Sequence, residues 1–194
     1  MDSIEYYNKY AAKVYEDTVD QDMNEIMQEF LSQLESGSTI LDLGCGSGRD
    51  SLILHELGYD VTPLDASEEM CKLAEIHTGI DVLQMKYEDM EFEYVFDGIW
   101  ACAALVHIPK KQLSAILEKL SKALKEDGVL YMSVKLGDFE GFMGERFLSY
   151  YTKHTVEDIL NEVSLFDIVN IWETQDVRSN HSDTKWINVL LKKK

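Results

Sequence analysis

Prolines, cysteines and basic side chains are what this chain has least of, and each scarcity excludes something. Eighteen Lys and Arg stand against 36 Asp and Glu among 194 residues, a formal net charge of −18. A surface of that sign repels phosphodiester backbones, so nucleic acid is not an expected partner. Cys45, Cys71 and Cys102 are odd in number and form no CxxC pair, which reads as reduced thiols in a cytoplasmic protein. No apolar run approaches the ~18 residues of a membrane span. The opening MDSIEYYNKY has neither the basic flank nor the apolar stretch of an export signal, so no membrane partner is expected. No set of residues with metal-ligand spacing stands out.

What is present is globular. Hydrophobic residues make up 45% and aromatics 10%, and a chain of this length suits one domain. It buries about 70% of the surface its unfolded form exposes and needs no disulfide or metal staple.

Apolar residues at helical spacing (Ile4, Tyr7, Ala11, Val14, then Ile26, Met27, Phe30, Leu31) predict two N-terminal helices over 1–36, broken near Asp17–Asp22. Strands and helices then alternate. Strands are expected at 39–43, 59–64, 81–85, 96–101 and 129–134, and helices at 49–57, 68–77, 110–124 and 155–163. That rhythm means right-handed crossovers and a parallel sheet covered on both faces. Two last strands, 165–172 and 185–192, are separated only by polar residues and predict an antiparallel hairpin at the sheet edge.

The strongest local signal is Leu41-Asp42-Leu43-Gly44-Cys45-Gly46-Ser47-Gly48, closing the first strand and opening a helix. Glycines at 44, 46 and 48 let the backbone turn tightly and approach a ligand. A dinucleotide-binding GxGxxG would need glycine at 49, where this chain has Arg49. Asp42 suits a cofactor with cationic groups and would repel a pyrophosphate. Asp65, ending the second strand in Pro63-Leu64-Asp65-Ala66-Ser67, has two oxygens with which to accept both hydroxyls of a ribose. Together they describe a nucleoside with a positively charged tail.

With LDLGCGSG, then PLDAS, then KYEDM after the third strand, the chain resembles the class I S-adenosylmethionine-dependent methyltransferases. The resemblance implies an α/β Rossmann-like three-layer sandwich: a seven-stranded, mostly parallel sheet with an antiparallel last strand, beneath N-terminal helices. It implies one methyltransferase domain over 1–194, made of a helical cap (1–36), a cofactor-binding core (37–136), and a substrate-side segment with the closing hairpin (137–194). S-adenosyl-L-methionine is the implied cofactor and S-adenosyl-L-homocysteine the product. Gly44, Cys45, Gly46 and Gly48 would line it, Asp42 would anchor its amino group and Asp65 its ribose. Ala66, Met70, Tyr87 and Glu88 would lie near the adenine, and Ala101 by the methionine moiety. Ala66 and Met70 read equally as core, and Glu88 as a solvated loop acid. Cys45 reads as a small residue tolerated in the turn, since transfer from a sulfonium needs no enzyme nucleophile. Arg49 faces either the cofactor carboxylate or Asp50.

Methyl transfer is an in-line displacement, so positioning supplies most of the catalysis and a base matters only for an acceptor that loses a proton. His107, just past the fourth strand and before Pro109, is the candidate base; its alternative is a structural histidine. Tyr6, Tyr7 and Tyr10 on the first helix, with Tyr150, Tyr151 and Arg146 in the 137–154 insertion, are candidates for the substrate pocket. Arg146 and Lys135 are also candidates for an anionic substrate group. Helix packing and surface charge are the alternatives for all of these. The chain has only Pro63 and Pro109, so the Pro-Pro motif of amine-methylating DNA enzymes and the Pro-Cys of cytosine enzymes are absent. A small-molecule acceptor is left. Size and the His107-Ile108-Pro109 segment are similar to the small bacterial tellurite-resistance type. A non-catalytic cofactor-binding sensor and a nicotinamide-dependent oxidoreductase are the other readings.

Overall fold

The computed structural model describes residues 3–178 and 183–194. Residues 1–2 of the expected cap and 179–182 of the polar connection before the last strand lie outside the described residues. Two helices open the chain, α1 (Ser3–Thr18) and α2 (Asn24–Leu31), followed by β1 (Thr39–Leu43), α3 (Arg49–Glu56) and β2 (Asp60–Asp65). Then come α4 (Glu68–Thr78), β3 (Leu83–Gln84), β4 (Phe96–Ala101), α5 (Lys110–Ala123) and β5 (Leu124–Leu136). The last third holds β6 (Glu140–Met143), β7 (Arg146–Tyr151), α6 (Lys153–Val163), β8 (Phe166–Gln175) and β9 (Lys185–Lys193).

β3, β2, β1, β4 and β5 run side by side in parallel. β9 pairs antiparallel with β5 from Val129–Lys192 to Lys135–Trp186, and β8 pairs antiparallel with β9 along its outer edge. The alternation within each central strand explains the three layers. Leu41, Leu43, Ile99, Leu130 and Met132 face α5 and α6, against Leu113, Leu117, Leu120 and Leu160. Ile40, Trp100, Val129 and Tyr131 face the other way, against Met27, Phe30 and Leu54 of α2 and α3. Strands apolar on both faces are what a sheet covered on both sides requires.

The seven expected strands are joined by two more. β6 and β7 form a hairpin closed by Gly144 and Glu145, with Met143 paired to Arg146, inside the 137–154 segment. β4 stops at Ala101, opposite Met132, which leaves the end of β5 with a free edge. β7 takes that edge, pairing Lys135 with Tyr150 and Leu136 with Tyr151. The third strand is shorter than expected, two residues at an exposed sheet edge where Leu83 has nothing to cover it.

Candidate active site

β1 sits between β2 and β4, so successive strands leave it in opposite directions, and a crevice opens beyond their carboxyl ends. A cavity of about 680 Å³ occupies it, roofed by α1 and by the β6–β7 hairpin. That volume is within the usual range for small-ligand sites.

At one end lies the glycine turn. Gly44, Gly46 and Gly48 all adopt positive φ (72°, 56° and 77°), a region in which glycine bears no penalty. The Gly44 and Cys45 N–H groups both donate to the Leu64 carbonyl, at 2.7 and 2.9 Å, which ties the turn to the end of β2. Asp65 is held by backbone: one oxygen accepts the Gly46 N–H at 3.0 Å and the other the Ser67 N–H at 2.9 Å. A carboxylate has about four acceptor sites, so capacity remains for a diol. Burial raises the Asp65 carboxyl above its usual range, and these N–H bonds oppose the rise. Ser67 caps α4 by accepting the Met70 N–H, and its hydroxyl donates to Asn8 of α1 at 2.7 Å. One residue thus secures a helix start and the roof above it.

Asp42, at 2% exposure, accepts a 2.5 Å bond from the Ser51 hydroxyl. Burial first, and then the charge of Asp50, push its carboxyl up to about 7; Arg49 acts in the other direction. Arg49 itself is bidentate to Asp50, at 2.7 and 2.8 Å. Asp50 also accepts the buried Trp100 indole N–H at 2.8 Å. Of its two expected partners Arg49 is seen with Asp50, and the residue also borders the cavity.

At the other end, His107 is clamped from both sides. Its Nδ1 lies 3.0 Å from the Phe147 carbonyl and its Nε2 lies 2.8 Å from the Tyr7 hydroxyl. A carbonyl only accepts, so Nδ1 carries the proton and Nε2 accepts from Tyr7. Burial is the main cause that holds the imidazole down to about 4, with the Arg146 and Lys135 charges helping and the Phe147 bond opposing. Burial also raises the Tyr7 phenol, against the Arg146 charge. Arg146 stacks over Tyr6, 4.8 Å from the ring centre.

Of the residues expected here, Asp42, Gly44, Cys45, Gly46, Arg49, Asp65, Ala66, Tyr87, Glu88, His107, Tyr6 and Arg146 all border the cavity. Five do not. Met70 and Ala101 are fully buried in the core. Gly48 is the residue before α3 and packs toward Ala74 and Thr78 of α4. Tyr10 falls at a kink in α1 and leans on Tyr6. Tyr150 turns outward beneath Lys135 and beside Phe139. Phe142, Phe147, Asp176, Arg178 and Trp186 border the cavity without having been expected there. The hairpins that deliver them leave no short motif in the sequence.

The glycine turn at the switch point and the reversed last strand are features of the class I S-adenosylmethionine-dependent methyltransferase fold. Residues 40–128 match the methyltransferase domain family. The chain is 25% identical over 187 residues to an uncharacterized methyltransferase of Staphylococcus carnosus (strain TM300), covering 88% of this chain and 89% of that protein. It is 32% identical over 120 residues to the ubiquinone biosynthesis O-methyltransferase of Xanthomonas axonopodis pv. citri (strain 306). That match covers 57% of this chain and spans about half of the relative, 49%. Among solved structures, the Burkholderia thailandensis 1,6-didemethyltoxoflavin-N1-methyltransferase superposes with a TM-score of 0.80 at 20% identity, over 98% of this chain and 86% of that one. At that identity the likeness is one of fold. That structure holds S-adenosylhomocysteine.

The residues at the glycine end fit such a cofactor. A Cβ at Gly44 would stand 2.7 Å from the Tyr87 hydroxyl, so only backbone borders the ligand there. Asp42 and Asp65 form no ion pair among the described residues, which suits a ligand bearing an ammonium and a sulfonium.

Proposed function

We propose that the chain methylates a small molecule in this cavity, taking the methyl group from S-adenosylmethionine by in-line displacement. The observation that carries the reading is one continuous cavity with the Asp42 and Asp65 carboxylates, neither in an ion pair among the described residues, at one end and a tyrosine–histidine pair at the other. Bound at the glycine turn, S-adenosylmethionine supplies an activated methyl on a sulfonium sulfur. Gly44, Cys45 and Gly46 shape the bed, Asp65 orients a ribose, and Asp42 with Ser51 faces the amino end. Tyr87 and Glu88 border the adenine side, and Gly48, Met70 and Ala101 support the turn and strand ends from behind.

For an acceptor that must lose a proton, the path runs from the acceptor to the Tyr7 oxygen as the Tyr7 proton passes to His107 Nε2. The Phe147 carbonyl keeps the imidazole in the tautomer this needs. Residues 1–36 act as a lid, 37–136 hold the cofactor and 137–194 shape the acceptor end. A net charge of −18 supports a small acceptor over a nucleic acid. The three free thiols support a reducing, cytoplasmic setting. Among the described residues no helix is long and apolar enough to cross a membrane.

A cofactor-binding protein without turnover is the second reading, favoured by one observation: both His107 nitrogens are already committed inside the protein, as in a structural histidine. Transfer of labelled methyl from S-adenosylmethionine to phenols and amines separates the two. Wild-type turnover with cofactor-tight but slow His107→Gln supports a catalytic pair. Tight S-adenosylhomocysteine binding with no transfer to any acceptor supports the sensor.

A further inference from the structure

The cations around the cavity are not used alike. Lys13 pairs with Asp17 at 3.3 Å, Arg49 with Asp50 at 2.7 Å and Arg178 with Asp176 at 2.7 Å. Lys86 is exposed, where water solvates it. Lys135 and Arg146 are half-buried and have no carboxylate partner among the described residues. Their contacts are aromatic. Lys135 Nζ lies 5.4 Å from the Tyr150 ring and 5.6 Å from the Trp186 ring, and Arg146 lies over Tyr6.

These two cations stand close enough for Arg146 to depress the Lys135 ammonium, with burial the larger cause, Arg178 adding to it and Asp176 opposing it. In a chain with twice as many acids as bases, neither forms an ion pair among the described residues, and Asp176, the acid whose charge reaches Lys135, is paired with Arg178. Partly desolvated like charges oppose each other, and that cost is offset when an anion arrives. Of the acids that border the cavity, Asp42, Asp50 and Asp65 gather at the glycine turn, while Asp176 is taken up by Arg178 at 2.7 Å and by the Trp186 indole at 3.0 Å. The cavity is therefore polarised along its length, negative at Asp42 and Asp65 and positive at Lys135 and Arg146. Tyr6 lies beside Arg146 and Trp186 beside Lys135, and Phe142 and Phe147 also border the cavity.

We propose that the acceptor is an aromatic carboxylate, its ring among Tyr6, Phe147 and Trp186, its carboxylate between Lys135 and Arg146, and its nucleophile toward Tyr7. This rests on the methyltransferase reading above and adds the substrate class to it. The same two cations that suppress His107 are the ones the carboxylate neutralises, so acceptor binding itself makes Nε2 a better base. An uncharged acceptor leaves the base weak.

The test uses the full chain with S-adenosylhomocysteine and calorimetry against hydroxybenzoates and aminobenzoates, their uncharged benzamides, and phenyl phosphate. The expected result is carboxylate binding at least about tenfold tighter than the amide. Lys135→Met and Arg146→Met each remove most of that preference with the S-adenosylhomocysteine dissociation constant unchanged, and Arg146→Lys, which keeps the charge, retains part of it. Equal binding of acid and amide overturns the proposal, as does phenyl phosphate outbinding every carboxylate. No saturable carboxylate binding by a protein that binds S-adenosylhomocysteine overturns it while leaving the methyltransferase reading intact. Failure to bind S-adenosylhomocysteine removes both.

Discussion

Replacing Gly44 by alanine separates two costs that a glycine turn usually confounds. The residue sits at φ +72°, and a Cβ built on it falls 2.7 Å from the Tyr87 hydroxyl and 2.8 Å from the Ala104 Cβ. The left-handed backbone alone costs an L-residue about 1–2 kcal/mol. Overpacking against neighbours that cannot all retreat adds about 1–3 kcal/mol, for a total near 2–5 kcal/mol. Gly58 is the internal control: its φ is +89° with nothing within 4 Å of the new atom, so Gly58→Ala bears the backbone cost only. A chain of this size loses about 2–4 °C of Tm per kcal/mol. Gly58→Ala should therefore melt about 2–8 °C early and Gly44→Ala about 4–20 °C early, followed by circular dichroism. Tyr87→Phe removes one of the two clashing atoms, so in the Gly44→Ala background it should recover part of the loss that it does not recover in wild type. Equal melting of the two alanine variants, or no recovery in the double variant, refutes the close approach on which the cofactor bed is built. Calorimetry with S-adenosylhomocysteine adds a second readout, because only Gly44 borders the cavity.

The two buried ionisable groups have opposite pH signatures. His107 is held down to about 4 against an ordinary value near 6.5, so its contribution is complete above about 6.5 and is lost as pH falls through 4, about 3 kcal/mol in all. His107→Gln should flatten that part of the acid limb in urea midpoints taken from pH 7 to 4; an unchanged limb contradicts the burial argument. Asp42, raised to about 7, contributes in the reverse sense: most favourable below its ordinary range and lost as pH rises through 7. Asp42→Asn should remove this loss and leave the protein relatively more stable at pH 8 than at pH 5. Arg49→Met strands the Asp50 carboxylate, 5% exposed, and should cost about 3–5 kcal/mol in urea unfolding. A loss below about 1 kcal/mol would mean that the Trp100 indole alone satisfies Asp50.

What the sequence discloses and what it withholds divides by separation along the chain. The glycine turn, Asp65 and the Ser67 cap are spelled in adjacent residues because the chemistry there is backbone chemistry, fixed by which residues tolerate φ > 0 and which cap a helix. The parallel core is equally legible: Thr39–Leu43 and Phe96–Ala101 are apolar on both faces, and a sheet sandwiched between helix layers demands that. The acceptor end is assembled across distance. Tyr7 and His107 meet over 100 residues of chain, and the proton position on His107 is set by a carbonyl 40 residues further on. That carbonyl belongs to a strand whose existence follows from geometry: β4 ends three residues short of the last residues of β5, and an unpaired strand edge draws a partner. Once β7 fills it, Arg146 and Phe147, at the hairpin end of the strand, are carried over the cavity, and Tyr150, on the same face of the pleat as Arg146 but four residues on, lies beside Lys135 where the strand joins β5. Arg146 and Tyr150 lie on one face of one short strand with equal claims in the sequence, and only where that strand docks along β5 decides which of them borders the acceptor.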